Sequence, residues 1–202
     1  LQRKTQCARK RHCSGLYYCI RNDSRKHNAH RLSILLYQNK RFRSGPLLAE
    51  EEINEICDQM YITLKRESTL DNIEIIVPVP NDFIPQRPEP RCAPPIVAGL
   101  AAIICKRENR KNCNSYNDVL VRVSHTRHTS DSPDVRQDYT KNDYDIAEYI
   151  KTAENNRIKD QTVLLIDDIT TTGVTVDVCA KLLEDYGAKE VIILCAALTY
   201  IQ

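Results

Sequence analysis

The chain has 202 residues, 42% of them hydrophobic, with 29 Lys and Arg against 27 Asp and Glu for a net charge of +2. That length suits one α/β core with a small appendage, and the balance of apolar and charged residues is that of an ordinary globular domain, not a disordered chain. No apolar run reaches the roughly 20 residues that cross a bilayer, and residues 1–15 are too basic and polar for a secretory signal, so neither a membrane protein nor an exported one is expected.

Residues 1–45 hold 12 of the basic residues and a single acid, Asp23, a net +11 that leaves −9 for the rest of the chain. Tyr17, Tyr18, Tyr37 and Phe42 are interleaved with these cations. Such a segment suits tracking a DNA or RNA backbone and stacking on bases, or else neutralising the acidic remainder of its own chain. Cys7, Cys13 and Cys19 recur every six residues, with His12, His27 and His30 nearby. Structural zinc pairs its ligands as Cys-x2-4-Cys, a spacing not found here. Reduced cysteines are therefore the expectation, with a zinc site completed by residues before Leu1 as the alternative. The nine cysteines of the chain are an odd number scattered through predicted strands and helices, which points to a reducing, cytoplasmic setting. The composition places a boundary between a basic Cys- and His-containing segment, 1–45, and a core domain, 46–202.

From residue 46 the pattern becomes regular. Residues 46–66 carry Leu47, Leu48, Ile53, Ile56, Met60, Ile62 and Leu64 at helical spacing, with acids early and Lys65 and Arg66 late, matching the helix dipole. Residues 73–77 (IEIIV) read as a buried strand running into Pro78, Val79 and Pro80, and the proline-studded stretch 81–95 reads as a loop. A helix is expected over about 96–106 and a strand over 118–123. Ser124 to Asp143 is polar with little to bury, a candidate mobile loop. A helix is expected over about 144–155, a strand over 163–166, a helix over 175–187 ended by Gly187, and a last buried strand from Val191. This alternation predicts a doubly wound, mainly parallel α/β sheet with right-handed crossovers and its ligand at the carboxyl edge.

The chemistry concentrates in residues 163–175, VLLIDDITTTGVT. An apolar strand delivers Asp167 and Asp168 to the carboxyl edge, and Thr170, Thr171, Thr172 and Gly173 then turn the chain into a helix that begins near Val174 and Thr175. Amides and hydroxyls of such a turn face the positive end of the helix dipole and hold a phosphate with no lysine nearby. The two carboxylates would accept hydrogen bonds from vicinal ribose hydroxyls, or hold a magnesium ion through water. A Walker A loop needs Lys and Ser or Thr after its last glycine, whereas Gly173 is followed by Val174, and a dinucleotide fingerprint needs three glycines where this turn has one.

This stretch closely resembles the phosphoribosyl pyrophosphate (PRPP) signature of type I phosphoribosyltransferases, in which hydrophobic residues precede two acids and a Thr-Thr-Gly phosphate loop. Within that family the chain looks most like the competence protein F branch. The Val-Pro-Val-Pro element at 77–80, the segment RLSILLYQNKRF with Lys40, and a Cys-bearing helix after the signature carry that likeness. Where the branch has an Arg-Gly-aromatic-Asn-Gln run, this chain has Arg91, Cys92, Ala93, Pro94 and Pro95; the prolines supply no amide to pyrophosphate, which leaves Arg87 or Arg91 to supply charge. The resemblance implies an enzyme that binds PRPP with Mg2+ and transfers the phosphoribosyl group to a nitrogen nucleophile, releasing pyrophosphate. Thr171, Thr172, Gly173 and Thr175 would hold the 5-phosphate and Asp167 and Asp168 the ribose hydroxyls, with magnesium bound through water. A loop starting near Val121 would close over the reacting carbon, with Arg122 and Arg127, among neighbours His125, His128 and Arg136, facing the departing pyrophosphate. A homodimer is a family-level expectation. The alternative is a catalytically silent module of the same fold that binds PRPP or a nucleotide and engages DNA or RNA through residues 1–45.

Overall fold

In a computed structural model that describes residues 9–13, 16–18, 50–66, 72–80, 95–109, 114–123, 142–146, 156–170 and 172–200, the apolar runs form strands and the 3.6-period stretches form helices. The elements are β1 (Arg9–Cys13), β2 (Leu16–Tyr18), α1 (Glu50–Arg66), β3 (Ile75–Pro78), α2 (Pro95–Arg107), β4 (Asn114–Ser115), β5 (Leu120–Arg122), β6 (Tyr144–Ile146), β7 (Thr162–Thr170), α3 (Val174–Asp185) and β8 (Glu190–Tyr200).

The main sheet is parallel throughout, ordered β4-β3-β7-β8, with β1 and β2 succeeding one another along the outer side of β8. Part of the basic segment thus shares the sheet of the core: Arg9–Cys13 run beside Val191–Cys195, and Leu16–Tyr18 beside Leu198–Tyr200. Both faces of the central strands are covered, which is why their sequences are continuously apolar instead of alternating. On one face Ile76, Leu164, Ile166, Ile192 and Leu194 pack with Ile56, Met60 and Leu64 of α1 and Ala101 and Ile104 of α2. On the other, Val77, Leu165 and Ile193 pack with Val176, Cys179 and Leu183 of α3 and with Leu120, Tyr144 and Ile146.

Local chemistry fixes the ends of these elements. Pro78 has no N–H, and it stands where β4 has already stopped pairing with β3, while the next amide, that of Val79, still donates to the Ile166 carbonyl at 2.8 Å. Helices α1 and α2 are joined at the surface by an ion pair between Asp58 and Arg107. Helix α3 ends on Gly187 at φ 98°, with the Gly187 amide donating to the Glu184 carbonyl at 2.9 Å and that of Ala188 to Leu183 at 3.0 Å. This pair of bonds is the Schellman closure that the glycine predicts.

Three expectations are corrected. The predicted strand 118–123 does not join the parallel sheet; its residues Leu120–Arg122 pair antiparallel with Tyr144–Ile146 in a separate two-stranded sheet. Tyr144–Ile146, expected to open a helix, are therefore strand, and the remainder of that predicted helix, 147–155, lies outside the described residues. The reason is non-local. Cross-strand pairing buries Leu120, Tyr144 and Ile146 under α3, outweighing local helical spacing. The end of the polar stretch is corrected too, because Asp143 is 1% exposed.

Candidate active site

All strands of the main sheet run the same way, so β3, β7 and β8 deliver their carboxyl ends to one edge. Strand β7 is longer than its apolar run: it carries Asp167 and Asp168 inside the ladder, opposite Cys195 in the case of Asp167, and ends at Thr170 opposite Leu198. Side chains alternate along a strand. Asp167 follows Val163 and Leu165 toward α3, while Asp168 follows Leu164 and Ile166 toward the α1 and α2 face. Both are half-buried, and the Asp168 amide donates to Asp167 Oδ1 at 3.0 Å. The carboxylates thus reach the edge from opposite faces.

Beyond β7 the chain turns through Gly173, whose φ of 81° and ψ of −3° lie in the left-handed region that favours glycine. Gly173 caps α3 with no side-chain hydrogen bond, and its carbonyl accepts the first helical bond from the Asp177 amide at 2.9 Å. The amides of the first turn are thereby presented to an anion at the positive end of the dipole. Thr172 is exposed, Thr170 and Thr175 are half-buried, and Val174 is buried, so Val174 offers its backbone alone. Thr171, Arg91 and Arg127 lie outside the described residues, as do Arg87, His125, His128 and Arg136. Of the zinc candidates only His12 and Cys13 fall on a described strand, β1, and Cys7, Cys19, His27 and His30 do not.

Arg122 is placed differently from a loop cation. It sits in β5 at 7% exposure, with Nη2 3.7 Å from Asp143 Oδ2 and its guanidinium 5.1 Å from the ring centre of Tyr144. Arg122 and Tyr144 are direct cross-strand partners. The Tyr144 phenol lies near Thr175 of the first turn of α3, near Asp167 and near Cys179. Burial foremost, then Cys179 and Asp167, raise the Tyr144 phenol well above its usual range, against the lowering effect of Arg122 and of the Thr175 hydroxyl. Burial also pushes the Cys179 thiol up, with Asp167 adding and Arg122 opposing, so this cysteine is a neutral packing group. Sequence reasoning missed Asp143, Tyr144 and Cys179.

Among the described residues no group of three His, Cys, Asp or Glu side chains is arranged to hold a metal ion. The donors at the edge are two carboxylates, hard oxygen ligands that suit a magnesium ion held through water and through the oxygens of a bound phosphate ester. The residues fit that group.

The family model for the phosphoribosyl transferase domain matches residues 98–199, a span that includes α3 and β7 and most of β8. Comparison with curated proteins gives no match. Among solved structures the chain is similar to a purine phosphoribosyltransferase from Pyrococcus horikoshii Ot3, at 16% identity and TM-score 0.42 over 77% of this chain and 80% of that one. It is also similar to a hypoxanthine phosphoribosyltransferase from Staphylococcus aureus (17%, 0.42, 75% and 66%) and to an adenine phosphoribosyltransferase from Leishmania tarentolae (15%, 0.43, 84% and 88%).

Proposed function

Because the chain belongs to the phosphoribosyl transferase domain family, we propose that it binds PRPP with magnesium and transfers the 5-phosphoribosyl group to a nitrogen nucleophile, releasing pyrophosphate. The observation that carries this reading is the junction of β7 and α3: two carboxylates at a parallel sheet's carboxyl edge, then a left-handed glycine that opens a helix with no side-chain cap. In the proposed complex the amides of the first turn, with Thr171, Thr172 and Thr175, hold the 5-phosphate. Asp167 and Asp168 accept hydrogen bonds from the ribose hydroxyls and ease the positive charge that develops on the ring. Magnesium, when bound, neutralises charge on the leaving pyrophosphate. The bond from C1 of the ribose to pyrophosphate oxygen breaks with its electron pair leaving on pyrophosphate, and a C1–nitrogen bond forms. Arg91 and Arg127 are assigned to the pyrophosphate side. The buried Arg122 is assigned a supporting role, since its guanidinium already faces Asp143 and Tyr144.

Membership of the competence protein F branch and the division into segments 1–45 and 46–202 belong to the same proposal. So does a second reading, a PRPP- or nucleotide-binding module that engages DNA or RNA. The observation favouring it is that Arg9–Cys13, of sequence RKRHC, run along the sheet on the side of β8 away from β7. No helix among the described residues is long and apolar enough to cross a membrane. Pyrophosphate release from PRPP, assayed against a panel of nitrogenous bases, tests the transferase reading. Binding of PRPP without release for any base rejects it in favour of the module.

A further inference from the structure

The main sheet sets side by side two cysteines that lie far apart in the chain. Strand β1 runs parallel to β8 with five consecutive partners, from Arg9 opposite Val191 to Cys13 opposite Cys195. The row continues inward, since Cys195 is also the partner of Asp167 in β7. Neighbouring strands lie about 4.8 Å apart, inside the span of roughly 4.4–6.8 Å between Cα atoms that a disulfide bridges. Register partners in a parallel pair stand on one face of the sheet, here the face to which Cys195 belongs with Val191 and Ile193. Cys195 is a buried thiol, 3% exposed. Cys179, the other buried cysteine of that core cluster, lies on α3 and not in the ladder. Among the described residues β1 is a terminal strand of the sheet, and such strands open locally before the core does.

We propose that Cys13 and Cys195 are a redox-responsive pair, whose disulfide fastens the basic amino-terminal segment to the core sheet, with a small anionic disulfide such as oxidised glutathione as the oxidant. The three cations of RKRHC, immediately ahead of Cys13, draw an anionic reagent to this strand. The Cys13 sulfur attacks one sulfur of the oxidant and releases one reduced glutathione. The Cys195 sulfur then attacks the Cys13 sulfur of that mixed disulfide and releases the second. Two thiol protons and two electrons pass to the two glutathiones, so the exchange balances. In a reducing setting the pair stays as two thiols. The bridge spans from residue 13 to residue 195, and a cross-link over so long a loop restricts the unfolded chain strongly. The assignment stands on strand register and is independent of the phosphate site.

Incubation of the full chain with oxidised glutathione, in buffer and in concentrated urea, tests this. Remaining thiols are alkylated, trypsin and chymotrypsin together cut between Cys13 and Cys19, and linked peptides are read by mass spectrometry. The expected result is a Cys13–Cys195 peptide as the main product in buffer, replaced by a mixture of pairings in urea. The linked chain is expected to melt roughly 5–10 °C above the reduced one, a shift lost in Cys13→Ala, which leaves the buried Cys195 in place. The absence of a Cys13–Cys195 peptide in buffer overturns the pair, as does a Cys179–Cys195 peptide in its place. The same mixture in buffer and in urea also overturns it, since chance pairing then accounts for the link. A linked chain that melts no higher than the reduced one overturns the fastening.

Discussion

The amide of Asp168 donates to the carboxylate of Asp167 at 3.0 Å, so two neighbouring acids that alternate to opposite faces of β7 are tied together at the edge of the sheet. A ligand lying across that edge meets one carboxylate from each side. Asp167→Asn and Asp168→Asn are each expected to weaken PRPP binding tenfold or more, the usual cost of losing a charged acceptor. Calorimetry in the presence of magnesium measures this. Unchanged affinity in the variant carrying both substitutions removes the acids from the site.

The pair formed by Arg122 and Asp143 is expected to matter most when half of it is removed. Asp143→Ala leaves the guanidinium in the core without this carboxylate and is expected to lower stability by about 3 kcal/mol or more, whereas Arg122→Met combined with Asp143→Leu costs less. Urea unfolding followed by circular dichroism separates the two outcomes. Equal losses in both variants would show that the pair acts by shape alone.

The site was legible in the sequence where it is local and illegible where it is not. The order of apolar strand, two acids, threonine turn, glycine and helix lies within residues 163–175, and each member constrains its neighbours, so β7, the Gly173 turn and α3 follow from reading along the chain. Gly187 was equally readable because a left-handed helix end selects glycine. The hairpin was not. Leu120–Arg122 and Tyr144–Ile146 are three-residue strands joined across a long polar stretch, too short to show a period, and Tyr144 followed by Ile146 fits a helix as well as a strand. Arg122 was expected in a loop facing pyrophosphate and Asp143 at the end of a polar stretch, because nothing local announces that they meet in the core.

Gly187 is expected to act on stability alone. At φ 98° any side chain is strained, so Gly187→Ala is expected to cost about 1–2 kcal/mol, although the nearest atom to an added Cβ, Lys159 Cγ, stands at an ordinary 3.5 Å. Gly187 lies between α3 and the start of β8, at the end of the parallel sheet opposite Asp167, so PRPP affinity is expected to stay as in wild type. Chemical denaturation and calorimetry on the same sample check both halves.

Stability is expected to fall in alkali. Burial raises the Cys57 thiol from 9.0 to about 11, against a lowering effect of Arg107. The folded state therefore keeps this proton where the unfolded chain releases it. The contribution of this group is constant below pH 9, then is lost at about 1.4 kcal/mol per pH unit as pH rises toward 11. Cys57→Ala, with reductant present throughout, is expected to be less stable at neutral pH and to show a shallower decline across that window. An identical slope in the two proteins assigns the decline to other groups.

The central claim is that the β7 and α3 junction holds PRPP. Calorimetric titration of the full chain with PRPP, with and without magnesium, tests it most directly. Saturable one-site binding that tightens with magnesium is the predicted result; the absence of binding heat in both conditions, with the protein shown to be folded, contradicts it.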